Sequence, residues 1–133
     1  MSLSTHVLDA AFGLPAAGMA VRLEVAGGGD GGDGSGGERG WTVLVETRTD
    51  RDGRVREDFG DVLPSGGSAA GVGVGVGGTY RLVFDTAGYF AGQGVKEYFY
   101  PEVVVCFAVT DPAAHYHVPL LLSPFAYSTY RGS

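Results

Sequence analysis

Positive charge is scarce in this chain: 9 lysines and arginines stand against 15 aspartates and glutamates, for a formal net charge of −6. That balance supplies no basic face for phosphates and argues against nucleic-acid binding. Cysteine is nearly absent. The one present, Cys106, permits no disulfide within the chain. Its setting, Val103-Val-Val-Cys-Phe107, predicts a small buried hydrophobe rather than a reactive thiol. Apolar runs fall far short of the ~20 residues that span a bilayer. Met1-Ser-Leu3 opens without a charged leader ahead of an apolar stretch. These absences together predict a soluble, intracellular protein. Helical periodicity is also rare, and only Thr86 to Gln93 reads as one or two helical turns, stopped by Gly94.

What is present is alternation. Leu3 to Asp9 alternates as a short strand, and Gly13 to Gly18 reads as a turn. Met19 to Val25 sets Met19, Val21, Leu23 and Val25 on one face, with Ala20, Arg22 and Glu24 on the other. Trp41 to Arg48, Val55 to Phe59 and Thr79 to Asp85 read as further strands, followed by Val103 to Val109, His115 to Leu122 and Ala126 to Arg131. Thr49-Asp-Arg-Asp-Gly-Arg54 is a tight turn, with Gly53 suited to a positive φ. Residues 26–40 hold nine glycines, and 65–78 form a second glycine-rich loop. Both contain a G-x-G-x-x-G pattern, Gly32 to Gly37 and Gly73 to Gly78. Neither lies between a strand and a helix, so both read as loop. A chain of 133 residues fits one domain spanning 1–133. Seven to eight short strands with one short helix predict an all-β fold, an antiparallel β-sandwich.

All three histidines fall on predicted strands. Period-two alternation turns Tyr116, Val118, Leu120 and Leu122 inward, leaving His115, His117, Pro119 and Leu121 outward. Thr5 and Val7 likewise face in, while Ser4, His6 and Leu8 face out. Ser128 and Tyr130 share a face in the last strand. An outward face combining His6, His117, Ser128 and Tyr130 with Leu8, Pro119 and Leu121 resembles a lined cleft more than a solvated surface. Imidazoles near their ordinary pKa of about 6.5 suit proton transfer at neutral pH. An arginine would orient a planar heterocycle and support developing negative charge. His115-x-His117 is a possible metal pair, though no third ligand lies at a fixed spacing. Asp50-x-Asp52-Gly53 lacks the downstream ligands of a calcium loop, and turn chemistry accounts for it.

Several segments resemble the 5-hydroxyisourate hydrolases, the enzymatic branch of the transthyretin-like family. They are Leu3-Ser-Thr-His-Val-Leu-Asp9, the Thr49–Arg54 turn, Tyr80-Arg-Leu-Val-Phe84, Gly88-Tyr-Phe90 and Phe99-Tyr-Pro-Glu102. The most specific are His115-Tyr-His-Val-Pro-Leu-Leu-Leu-Ser-Pro124 and the terminal Tyr130-Arg-Gly-Ser133. The resemblance covers almost the whole chain outside the glycine-rich loops. It implies a transthyretin-like sandwich and a homotetramer built as a dimer of dimers. It also implies catalytic roles for His6, Arg54, His117 and Ser133, and substrate contacts from His6, Arg54, Tyr130, Arg131 and Gly132.

The activity so implied is hydrolysis of 5-hydroxyisourate in urate degradation, with no cofactor and no obligatory metal. The expected compartment is the cytoplasm, with peroxisomes as the alternative. Transthyretin proper, the carrier branch, does not keep the His6, Arg54, His117 and Tyr-Arg-Gly-Ser set. A carrier of aromatic ligands and a metal-binding sandwich are therefore the competing readings.

Overall fold

Strand alternation finds its partner surfaces in two facing sheets. The computed structural model describes residues 2–27, 40–55, 59, 78–111 and 113–132. Most of both glycine-rich stretches, residues 56–58 of the expected fourth strand, and Ser133 lie outside the described residues. In chain order the elements are β1 (Ser2–Asp9), β2 (Leu14–Pro15), β3 (Ala20–Ala26), β4 (Trp41–Arg48), β5 (Arg54–Val55) and β6 (Gly78–Phe84). A short helix α1 (Thr86–Gly92) follows, then β7 (Val103–Val109), β8 (His115–Ser123) and β9 (Ala126–Thr129). One sheet runs β2-β1-β8-β9, with β5 also paired to β1; the other runs β4-β3-β6-β7.

The core lies between the sheets. Leu3, Val7, Leu120 and Leu122 come from the first sheet, and Val21, Leu23, Leu82, Phe84 and Val103 from the second, all fully or almost fully buried. Val7, Val21, Leu23, Leu120 and Leu122 are inward positions that alternation assigns. The helix is fastened to the end of β1. Asp85 Oδ1 accepts the Gly88 N–H at 3.0 Å, as an N-cap does. The Tyr89 hydroxyl donates to Asp9 Oδ2 at 2.7 Å, while Asp9 Oδ1 accepts the amides of Ala11 and Phe12. Burial, and then the Asp9 carboxylate, push the Tyr89 hydroxyl pKa up, so the phenol stays a donor.

Four expectations need correcting. The sandwich is not wholly antiparallel, because β1 and β8 pair in parallel. Parallel neighbours need a long crossover, and here the whole second sheet lies between them in sequence. Leu14–Pro15, read as turn, pairs with the end of β1, making nine strands among the described residues. Cys106 is exposed. It pairs with Arg81 across the ladder and shares the outer face with exposed Val104. Glu24, assigned outward, is buried to 3 % exposure beside a register shift against β4. Burial alone would raise its carboxyl pKa, but hydrogen bonds from Arg22 and from Arg81 Nε outweigh that and lower it.

The turn after β4 sets the position of β5. Asp50 Oδ1 accepts the amides of Asp52 at 2.8 Å and Arg54 at 3.0 Å. Gly53 adopts φ 76° and its carbonyl accepts the Val7 amide at 2.7 Å. A Cβ at Gly53 would fall 2.4 Å from the Val7 carbonyl oxygen, a backbone atom that cannot move aside cheaply. Gly53→Ala should therefore lower unfolding stability by about 2 kcal/mol or more in urea titration, combining left-handed backbone strain with that clash.

Candidate active site

The outward face of the first sheet is laid out in rows by its ladders. Cross-strand partners project to the same side. Ser2 is partnered with His115, Ser4 with His117, and His6 with Pro119. On the other edge of β1, His6 is partnered with Arg54. Leu8 and Leu121 form the next row, and Ser128 joins it across β9. His6, Arg54 and His117 thus occupy adjacent positions on one face, although they come from chain segments far apart.

The terminal segment runs alongside β8 at the edge of this face. The Thr129 hydroxyl donates to the Pro119 carbonyl at 2.6 Å, and the Gly132 amide donates to the His117 carbonyl at 2.8 Å. A Cβ at Gly132 would stand 2.5 Å from His117 Cδ2, so only glycine lets the backbone lie this close to the imidazole. Tyr130 is 61 % exposed. Arg131 lines one cleft with His117 and Tyr130. Its guanidinium carbon lies 4.6 Å from the centroid of the inward-facing Tyr116 ring, a cation–π contact that pins the segment from the opposite side. Ser133 is outside the described residues.

Ser4 Oγ sits 2.8 Å from His117 Nδ1 and 3.1 Å from His115 Nε2, while Ser2 Oγ lies 2.5 Å from His115 Nδ1. Sequence reasoning placed Ser4 outward but gave it no role. Without the register of β1 against β8, nothing separates it from an ordinary solvated serine. Among the described residues, no group of three or more histidine, cysteine, aspartate or glutamate side chains converges as metal ligands do.

Electrostatics distinguish His117. Burial lowers its pKa first, and the positive charges of Arg54, His115 and His6 lower it further. Among the described residues, the outward positions of β1, β5, β8 and β9 hold no carboxylate, although the chain as a whole is acidic. Such a face offers a neutral imidazole as proton acceptor and a guanidinium beside it for negative charge, the two requirements for adding water to a carbonyl.

An all-β sandwich with a histidine–arginine face defines a class, and comparison with known proteins places the chain within one. Residues 3–132 match the model of the HIUase/Transthyretin family, and the chain belongs to that family. It is 42% identical over 134 residues to the 5-hydroxyisourate hydrolase of Caulobacter vibrioides, covering 98% of this chain and 97% of that one. Identity to the 5-hydroxyisourate hydrolase of Mus musculus is 41%, over 98% and 94%. Identity to the uric acid degradation bifunctional protein TTL of Arabidopsis thaliana is 44%, over 98% of this chain but only 37% of the longer protein. Among solved structures, Klebsiella pneumoniae 5-hydroxyisourate hydrolase superposes with a TM-score of 0.68 at 30% identity, covering 99% and 93%. Transthyretin from Sparus aurata gives 0.73 at 28%, covering 98% and 96%.

A lowered pKa keeps the His117 imidazole neutral to more acidic pH than a free one, and it gains its proton only as pH falls through the lowered value. Histidine NMR titration should place His117 below the ordinary value of about 6.5. Arg54→Gln should raise it by removing one positive neighbour. It should still stay below the ordinary value, because burial is the larger cause.

Proposed function

We propose that this protein hydrolyses 5-hydroxyisourate, opening its six-membered ring to give 2-oxo-4-hydroxy-4-carboxy-5-ureidoimidazoline in urate degradation. The observation that carries the reading is the pairing of Arg54 with His6, one row from a His117 whose pKa is held low. Water adds to a ring carbonyl carbon while its proton passes to His117. The C–N bond then breaks, the ring nitrogen takes the proton back, and the opened ring carries a carboxylic acid that ionises by releasing its proton to solvent. His6 orients the water or the ring. Arg54 binds the oxygen-rich ring and stabilises the anionic intermediate. Tyr130, Arg131 and Gly132 contribute substrate contacts, and the family resemblance assigns Ser133 a catalytic role. Water, imidazole and guanidinium complete the chemistry, so the reading requires no cofactor.

The same proposal includes a homotetramer. β7 and β9 are the outer strands of their sheets, and a cleft of about 230 Å³ lies between them, lined by Val105, Phe107, Thr129 and Tyr130. Outer strands carry unpaired backbone groups that a second copy can satisfy, and exposed Val104 and Tyr127 add apolar surface there. Two such dimers then meet across the histidine face, and the sites line a central channel. A cytoplasmic protein, or alternatively a peroxisomal one, goes with this reading. Among the described residues no helix is long and apolar enough to cross a membrane.

Ultraviolet absorbance should show freshly generated 5-hydroxyisourate decaying faster with the protein than in buffer. His117→Ala should reduce that acceleration by roughly 100-fold or more, the scale of a lost general base. Removing residues 130–133 should leave a folded protein with little activity. No acceleration by well-folded wild type would favour an aromatic-ligand carrier.

A further inference from the structure

We infer that Ser4 and His115 act as positioning residues that form a proton relay for His117, moving positive charge away from Arg54 toward solvent. The inference deepens the hydrolase reading and rests on it. Its starting point is the unbroken series Ser2 Oγ, His115, Ser4 Oγ, His117, with successive contacts of 2.5, 3.1 and 2.8 Å. The series runs along the outward face of β1 and β8 and ends at an exposed imidazole.

A serine hydroxyl carries one proton, so Ser4 donates to one ring and accepts from the other. A base needs an unprotonated Nε2, which requires the His117 proton to sit on Nδ1. In that arrangement His117 Nδ1–H donates to Ser4 Oγ, the Ser4 O–H donates to His115 Nε2, and His115 Nδ1–H donates to Ser2 Oγ. Every contact in the series is then satisfied. The opposite arrangement satisfies the same contacts but puts the proton on His117 Nε2, where it blocks the base. Ser4 therefore interlocks the tautomers of the two rings.

The interlock also provides a path. When His117 Nε2 takes a proton from the attacking water, Nδ1–H breaks and a new Ser4 O–H forms. The original Ser4 O–H breaks as His115 Nε2–H forms. One proton has entered at His117, and one positive charge has appeared at His115. The reverse shift returns it when the ring nitrogen leaves. The groups facing His117 favour outward movement of that charge. Arg54 and His6 occupy the adjacent row, and burial also disfavours a cation there. His115 is exposed and lies on the far side of His117 from Arg54 along β8. Among the described residues, no carboxylate on this face competes to hold the charge.

The test pairs kinetics with a readout in the free protein. In wild type, long-range 1H–15N NMR near neutral pH should find His117 protonated on Nδ1, and Ser4→Ala should shift it to a mixture of tautomers. His115→Gln keeps hydrogen-bonding groups but cannot take the charge. It should lower kcat by roughly tenfold or more, as expected of an impaired proton transfer, with KM little changed. The proton inventory of kcat in H2O–D2O mixtures, curved in wild type, should become linear in His115→Gln. Wild-type rates and inventories in both variants, with His117→Ala inactive, would overturn the relay alone. His117 protonated on Nε2 in wild type would overturn it as well. A wild type that does not accelerate 5-hydroxyisourate decay would overturn the hydrolase reading and the relay with it.

Discussion

The parallel ladder between β1 and β8 is the constraint on which the candidate site depends. It joins the start of the chain to its end through eight consecutive partnered positions, from Ser2 with His115 to Asp9 with Leu122. The buried Thr5 hydroxyl reinforces it by donating to the Val118 carbonyl at 2.6 Å. Register decides everything on this face, since a slip of one residue would turn every outward side chain into the core. Burying Leu3, Val7, Tyr116, Leu120 and Leu122 on the inward side makes such a slip costly. Hydrophobic burial on one side of the sheet thus fixes where the polar groups stand on the other. The Gly53 turn adds Arg54 to the outer edge of β1, and the terminal segment adds Gly132 beside His117.

Electrostatics on that face follow from the same geometry. Arg54 has two effects that usually call for separate residues. Its positive charge helps keep His117 unprotonated, and the same charge is available to an anion forming nearby. The acidic groups are held elsewhere. Asp9 points inward to Tyr89 and the turn amides, and Glu24 is held by Arg22 and Arg81 on the other sheet. A chain that is acidic overall therefore presents a face without carboxylates among its described outward positions. Placement within the fold, not composition, gives that surface its character.

Period-two alternation made much of this legible in advance. The inward sets of β3 and β8 are runs of large apolar residues, and that of β1 carries Leu3 and Val7, so their faces could be assigned without knowing any partner. The Asp50–Gly53 turn was legible because its side-chain and glycine chemistry is local. Pairing was not. Residues that touch across more than 100 positions, such as Ser4 and His117, leave no local trace, and the parallel sense of β1 and β8 is equally invisible. Cys106 and Glu24 were misplaced for a related reason. An apolar run does not reveal which side of an edge strand faces out, and a carboxylate can be buried when two distant arginines meet it. Arg131 shows both cases. Alternation sets its side chain across from Tyr130, in keeping with its stacking on Tyr116, yet it still lines the cleft that His117 and Tyr130 share, a juxtaposition that no local pattern announces.

One fold serving two branches of a family makes the side chains on a single face the deciding feature. The backbone framework superposes on a transthyretin at 28% identity about as well as on a 5-hydroxyisourate hydrolase at 30%, so overall shape does not separate carrier from enzyme. The rows on the first sheet do. A sleeve for an apolar aromatic ligand gains from burying apolar surface and loses from desolvating a guanidinium and several imidazoles. An enzyme that adds water to a carbonyl needs those groups held close together. The glycine contact on His117, the register of Arg54 with His6 and the hydroxyl between His115 and His117 all maintain that arrangement. Each constrains position or tautomer rather than adding apolar area, which is the pattern expected when geometry at a reacting atom matters more than surface burial.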